Sequence, residues 1–348
     1  MIFRQLFDSV SSTYTYLIAS RHGGEALLVD PVFEKTDQYL RVLEELDLRL
    51  VKVIDTHVHA DHVTAMGALR DHTNCVTVMG EQSPVDVVSM RVKDGERVTI
   101  EGINMTALYT PGHTDDSYCF LMDDRIFTGD TLLIRGTGRT DFQNGDAGAQ
   151  YDSLFGRLLT LPEQTFIYPA HDYKGETVST IGEEKAYNPR LQVSSRAAYI
   201  ELMHNLNLPN PKMMDVAVPE NMKMGITLDA QKQVKHISTD ALSGLIASGQ
   251  IGRDYLLLDL REDGERARDG VIEGAVQAPY SQFYKQLESL ALNRKTPVIF
   301  YCAAGERSAM AVKLANDKGL RHVSHLLGGI TAWQADGLRL EAITGHHH

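Results

Sequence analysis

The chain is poor in cysteine, has no long apolar run and carries no excess of positive charge, and each lack removes a class of protein. Cysteine occurs three times in 348 residues, as Cys75, Cys119 and Cys302. An odd, sparse set makes no disulfide framework and fits a reducing compartment. Nothing approaches the roughly 20 apolar residues that span a bilayer. The opening Met1-Ile2-Phe3-Arg4-Gln5-Leu6-Phe7-Asp8 lacks the apolar core of a signal peptide. A cytoplasmic protein is therefore expected. Asp and Glu outnumber Lys and Arg, 46 to 34, for a formal net charge of −12. Such a surface repels nucleic acid and anionic membrane, so neither is expected as a partner, and an anionic substrate would need local Arg or Lys. The terminal 346–348 reads as a purification-tag remnant and enters no metal argument.

What is present is a soluble-type balance of 43% hydrophobic and 23% charged residues, over a length suited to two domains. Ala26–Asp30, Leu50–Asp55, Cys75–Met79, Met105–Tyr109 and Phe166–Tyr168 read as strands. Ser117–Met122 and Arg125–Thr128 read as a hairpin about Asp123-Asp124, and Thr36–Leu48 as a helix. Strands mixed with helices predict a layered α/β architecture. Across 206–232 the periodicity fades into turn-like Leu208-Pro209-Asn210-Pro211 and Val218-Pro219-Glu220-Asn221, which reads as a connector. A second alternation follows. Thr239–Ser248 reads as a helix, Tyr255–Leu260 as a strand, Ser281–Ala291 as a helix, Pro297–Tyr301 as a strand and Arg307–Asp317 as a helix. This is a second α/β domain of about 110 residues, a common size.

Thr56-His57-Val58-His59-Ala60-Asp61-His62 packs three imidazoles and a carboxylate behind a strand end. His113 in Pro111-Gly112-His113, Asp130 in Thr128-Gly129-Asp130 and His171 in Pro169-Ala170-His171 each follow another apolar strand. A lone histidine is ordinarily a solvated or hydrogen-bonded side chain, and His72, His204 and His236 are read so. Four clusters at four strand ends read instead as a metal site, since imidazole and carboxylate suit borderline metals such as zinc and iron.

The pattern His-x-His-x-Asp-His, Gly-His, Gly-Asp and a late His resembles the metallo-β-lactamase superfamily over about residues 1–230. The resemblance implies an αββα sandwich with metal at the edge between two sheets. Within it, Gly136-Thr137-Gly138-Arg139-Thr140-Asp141-Phe142-Gln143, Pro169-Ala170-His171-Asp172-Tyr173-Lys174-Gly175 and Asn188-Pro189-Arg190-Leu191 resemble the glutathione persulfide dioxygenases more than the glyoxalase II hydrolases. Thr137 departs from that branch, where many relatives carry Cys. The resemblance implies one Fe(II) per chain held by His57, His113 and Asp130. His59, Asp61, His62 and His171 then serve as supports, or hold a second metal if the site is binuclear. Arg139, Asp141, Tyr173 and Arg190 are candidates for glutathione binding, because Arg pairs bidentately with carboxylates.

Cys302 follows the strand Val298–Tyr301 and precedes Ala303-Ala304-Gly305-Glu306-Arg307-Ser308 and a helix. A tight loop of small residues aims backbone N–H groups and a helix start at the sulfur, a setting that suits an anionic sulfur or a persulfide. The bland alternative is a buried structural thiol, the reading kept for Cys75 and Cys119. The loop spans six residues from Cys302 to Arg307 and resembles that of rhodaneses, as do Leu258-Asp259-Leu260-Arg261 and Leu327-Gly328-Gly329-Ile330-Thr331-Ala332-Trp333. Glu273 stands where relatives usually have Pro. This likeness covers 233–343 and implies a small α/β domain with a central parallel sheet, with Cys302 and Arg307 catalytic.

Together the two resemblances imply a bifunctional sulfur enzyme. One half would oxidise glutathione persulfide with O2 to sulfite and glutathione. The other would move sulfane sulfur between thiosulfate and glutathione through a Cys302 persulfide. Two alternatives stay open: a binuclear zinc thioester hydrolase, and a C-terminal module that only carries sulfur or docks. A homo-oligomer is neither required nor excluded.

Overall fold

The chain begins with a hairpin that periodicity does not reveal. In the computed structural model β1 (Ile2–Asp8) pairs antiparallel with β2 (Thr13–Ala19), Ile2 opposite Ala19 and Asp8 opposite Thr13. Every residue of β2 is buried, so period-2 alternation is missing, and the turn uses Ser12 at φ 57° in place of glycine. The structure describes all residues except 86–87, 211–212, 223–230, 281–282, 284–286, 288–295 and 344–348, and at position 306 the backbone alone. Most of the helix expected over Ser281–Ala291, and the terminal histidines, lie outside the described residues.

Two six-stranded sheets follow. The first runs β1-β2-β3-β4-β5-β6, adding β3 (Glu25–Val29), β4 (Arg49–Ile54), β5 (Val76–Gly80) and β6 (Met90–Val92). The second runs β12-β11-β10-β9-β8-β7. Its strands are β7 (Arg97–Ile100), β8 (Ile103–Tyr109), β9 (Tyr118–Leu121), β10 (Arg125–Gly129), β11 (Phe166–Pro169) and β12 (Ser179–Thr180). Aromatic rings join the sheets face to face: Phe3 and Tyr16 of the first meet Phe127 and Tyr168 of the second at 4.8–6.2 Å between centroids. Helix α1 (Thr36–Glu45) covers the first sheet, with Tyr39 and Leu43 buried and the Tyr39 hydroxyl 2.9 Å from Thr15 Oγ1. Helix α2 (Met66–Thr73) packs on β4 and β5. On the other side α3 (Ala147–Gly156), α4 (Ile181–Tyr187) and α5 (Arg196–His204) bury Leu154, Ile181, Tyr199 and Met203 against Cys119, Ile126 and Ile167. The layering is helix, sheet, sheet, helix.

Residues read as connector include a helix, α6 (Met214–Met222), despite Pro219 within it. The turn-like dipeptides hid it. The chain divides into two units, Met1–Asp86 with Arg91–Met224, and Gly225–His348 with Val87–Met90.

The second unit holds a five-stranded sheet ordered β13-β17-β16-β14-β15, whose recorded pairings are all parallel. Its strands are β13 (His236–Ile237), β14 (Leu256–Asp259), β15 (Val276–Gln277), β16 (Val298–Tyr301) and β17 (Val323–Leu326). Around it lie α7 (Thr239–Ala247), α8 (Asp263–Asp269), α9 (Glu306–Asp317) and α10 (Gly329–Ala335). Leu242, Leu257, Ile299, Leu326 and Trp333 form its core. Buried Arg261 closes the Leu-Asp-Leu-Arg stretch with paired bonds to Asp259 at 3.0 and 2.7 Å.

Candidate functional site

Four strand ends supply the histidine cluster. β4 runs into 55–62, β8 into Thr110–His113, β10 into Asp130, and β11 into Ala170-His171. The pairing of β10 with β11 slips between Phe127 and Gly129, just before Asp130. The 55–62 loop is fastened by Asp30 at the end of β3, which accepts from Thr56 N at 2.8 Å, from the Thr56 hydroxyl and from His59 Nε2 at 3.0 Å. Because the Thr56 hydroxyl donates to Asp30, it accepts from His57 Nδ1–H at 2.9 Å. His113 Nδ1–H donates to Arg139 O at 2.7 Å. Both rings therefore keep the Nε2 lone pair, and these atoms face Asp130 Oδ2 at 3.9 and 3.4 Å. His57, His113 and Asp130 present ligand atoms within 4.8 Å of one another.

His59, Asp61, His62 and His171 form a second group of the same compactness. Its state differs. His171 is held between two carboxylates, Nδ1 at 2.6 Å from Asp130 Oδ1 and Nε2 at 2.7 Å from Asp61 Oδ2. Burial alone would lower its pKa, but those charges and hydrogen bonds lift it well above the imidazole range. Burial pushes His57 the other way, well below that range, which keeps its imidazole neutral. Burial works against the Asp130 carboxylate, yet the surrounding histidines hold its pKa well below the usual value. Buried His59 Nδ1 and His62 Nε2 have no hydrogen-bond partner among the described residues, His59 Nδ1 lying 3.9 Å from Asp61 Oδ1. Two open imidazole nitrogens beside an ionised carboxylate, with further bare ring nitrogens behind them, fit a borderline metal ion.

Among other residues near the loop, Thr13 and Asn221 were not read from sequence as site residues, and Gln143 entered only as the end of the Arg139–Gln143 run. Thr13, from the unforeseen hairpin, lies 3.3 Å from Asp61 Oδ2 and 3.1 Å from His171 Nε2. Asn221 of α6 accepts from Thr64 N at 2.8 Å and donates to His59 O and His62 O, each at 3.0 Å. Gln143 donates to Val58 O at 2.8 Å. No local pattern could have found Thr13 or Asn221, because each acts across a long sequence separation.

The four expected glutathione contacts fare unequally. Tyr173 is 71% exposed and stacks parallel to His171, ring centroids 6.1 Å apart. Arg139 pairs with Asp141 at 2.6 and 2.8 Å, lies over the Phe142 ring, and lines a cavity of about 300 Å3 with Thr140, Asp141 and Met203. Arg190 is committed inward, bonded to Thr137 O and, at 3.1 Å, to its hydroxyl.

In the second unit β16 delivers Cys302 to the start of α9. Gly305, left-handed at φ 90°, donates its N–H to Cys302 Sγ at 3.2 Å. The Ser308 hydroxyl lies 3.6 Å from the same sulfur. The carbonyls of Cys302 and Ala303 are taken by the N–H groups of Ile330 and Thr331 at 2.9 and 3.0 Å. This approach requires Gly329, since a Cβ there would lie 2.5 Å from Cys302 O. Arg307, expected to be catalytic, has its guanidinium fully buried in a bidentate pair with Glu265 at 2.8 and 2.6 Å. The side chain of Glu306 lies outside the described residues. Cys119 is a buried thiol pushed up to about 12 by burial, and Cys75 is buried as well.

Comparison with known proteins follows this division. Residues 8–84 and 80–171 match the metallo-beta-lactamase superfamily model, and residues 238–336 the rhodanese-like domain model. The human persulfide dioxygenase ETHE1, mitochondrial, is 43% identical over 229 residues, covering 65% of this chain and 89% of that protein. The chain belongs to the persulfide dioxygenase family. A crystal structure of ETHE1 from Myxococcus xanthus shares 54% identity, covers 65% of this chain and all of that one, and superposes with a TM-score of 0.63. A hydroxyacylglutathione hydrolase of Photobacterium profundum is 33% identical over 193 residues, covering 55% of this chain and 74% of that protein. This persulfide dioxygenase family member thus carries a rhodanese domain behind its metallo-β-lactamase fold. Among the described residues no helix is long and apolar enough to cross a membrane.

Proposed function

We propose that the first unit oxidises glutathione persulfide and the second transfers sulfane sulfur. The observation that carries the first part is the 43% identity to human persulfide dioxygenase over 89% of that protein, against 33% to the hydrolase over 74% of its length. His57, His113 and Asp130 offer the two-His, one-carboxylate donor set that this reading needs.

When bound, Fe(II) supplies adjacent open positions and a one-electron path to triplet dioxygen. The chain does the rest. Thr56 and the Arg139 carbonyl fix the tautomers of His57 and His113. Tyr173 presents its hydroxyl beside His171, and Arg139 with Asp141 at the cavity edge offers charge to the glutathione backbone. The net reaction is GSSH + O2 + H2O giving GSH, sulfite and two protons. In the second unit Cys302 Sγ takes the outer sulfur of thiosulfate, releasing sulfite, and passes that sulfur to glutathione, giving glutathione persulfide. Arg307 and Glu265 keep the Cys302 loop in place. Three buried or sparse thiols suit a reducing compartment such as the cytoplasm.

The test is metal analysis of anaerobically purified protein beside an oxygen-electrode assay. One iron per chain with oxygen uptake on glutathione persulfide is expected. Two zinc ions, and thiol release from a glutathione thioester without oxygen, would overturn the reading. Cys302→Ser should abolish thiosulfate:glutathione transfer and spare oxygen uptake, and Asp130→Ala should do the reverse.

A further inference from the structure

Gln231 precedes the stretch matched by the rhodanese-like model, 238–336, and sits in the segment that reads from sequence as connector. It is nonetheless 3% exposed. Its side-chain Nε2 donates to Ala304 O at 3.0 Å, and its Oε1 accepts from Gly328 N at 3.2 Å. Its backbone carbonyl accepts from His325 Nε2–H at 3.2 Å. One residue thus holds the Cys302 loop, the Gly328-Gly329 turn that caps it, and β17.

Two routes lead from Gln231 to the sulfur. The first is through Gly305. A Cβ on that glycine would lie 2.1 Å from Gln231 Oε1, so the amide rests on the residue whose N–H meets Cys302 Sγ at 3.2 Å. The second is through His325, which is fully buried. With Nε2–H taken by the Gln231 carbonyl, Nδ1 carries the lone pair that faces the Ser308 hydroxyl at 3.2 Å. Ser308 in turn lies 3.6 Å from Cys302 Sγ. In sulfur transfer the Cys302 Sγ–S bond forms, the S–S bond of thiosulfate breaks, and sulfite leaves with the electron pair. The Gly305 N–H already aimed at the sulfur helps this step only while the loop stays in register.

We infer that Gln231 is a positioning residue for sulfur transfer, supplied from ahead of the rhodanese-like module and holding the Cys302 loop through its side-chain contacts with Ala304, Gly305 and Gly328. This rests on the reading that Cys302 carries sulfur. The test uses the full chain with Gln231→Ala and with Gln231→Met, which keeps bulk and loses both side-chain hydrogen bonds. Both variants should lose about tenfold in kcat for thiosulfate:glutathione transfer, the effect of roughly one well-placed hydrogen bond. The thiosulfate KM should stay within about twofold, because uniform binding is untouched. Oxygen uptake should be unchanged. Amide exchange in the peptide spanning 302–308 should quicken while exchange around 55–62 does not. Wild-type kcat and exchange in Gln231→Met would overturn the inference and leave the sulfur-transfer reading standing. A wild-type protein without transfer would instead remove that reading, and unchanged exchange in both variants would then remove the inference too.

Discussion

Gly138 leaves no room for a side chain between two groups of the proposed metal centre. Its N–H donates to Asp130 O at 2.7 Å, and a Cβ would stand 2.1 Å from that oxygen and 2.8 Å from His113 Nδ1. Gly138→Ala should therefore disturb both residues at once. We expect about a 10- to 100-fold loss of metal affinity, the usual scale for groups that orient ligands, read by chelator competition, with unchanged circular dichroism. His325 makes a pH prediction in the other unit. Burial pushes its pKa down to about 4, against the hydrogen bond to the Gln231 carbonyl. Unfolding restores a value near 6.5, so between roughly pH 6.5 and 4 the unfolded chain binds the extra proton. Stability from this group is complete above pH 6.5 and is lost as pH falls toward 4, by an amount on the order of 3 kcal/mol. Urea unfolding of the second unit across that window should show the slope, and His325→Gln should flatten it.

Helix α6 shows how an element can be both unforeseen and necessary. Pro219 and the flanking turn residues read as connector, yet Asn221 from this helix bonds Thr64 N, His59 O and His62 O. Asn221→Ala strands three buried backbone groups, each of which costs about 1–3 kcal/mol when left unsatisfied. We expect the urea midpoint of the first unit to fall by an amount matching a few kcal/mol in total, together with weaker metal binding. The other elements near the sites were more legible. Strand β4 and the loop after it, β10 with its Gly-Asp end, and β16 with Cys302 all combine an apolar run with an abrupt polar stop. The hairpin of β1 and β2 was not legible, because a strand buried on both faces carries no alternation, and with it went Thr13.

At the scale of the molecule, the metal-type donors lie in one unit and Cys302, proposed to carry sulfur, in the other. Metal should thus stabilise only the first, by RT ln(1 + [L]/Kd), about 2.7 kcal/mol at a hundredfold excess over Kd. Removing it by chelation should lower the first unit's unfolding temperature and abolish oxygen uptake. The second unit's transition and thiosulfate transfer should not move, as calorimetry and a transfer assay would register. The sequence by itself determined the two fold types, the four strand ends that carry ligand-type residues, and the position of Cys302. Those features are local: a run of apolar residues, its end, and the polar side chains within a few positions of it. Tertiary structure alone decided which donors stay open. It set His171 between Asp130 and Asp61, turned Arg307 onto Glu265 and Arg190 onto Thr137, and brought Thr13, Asn221 and Gln231 to sites distant from them in sequence. The reason is physical: a buried polar group takes whichever partner the packing of the chain brings within about 3 Å, and that meeting is written nowhere in the residues on either side of it.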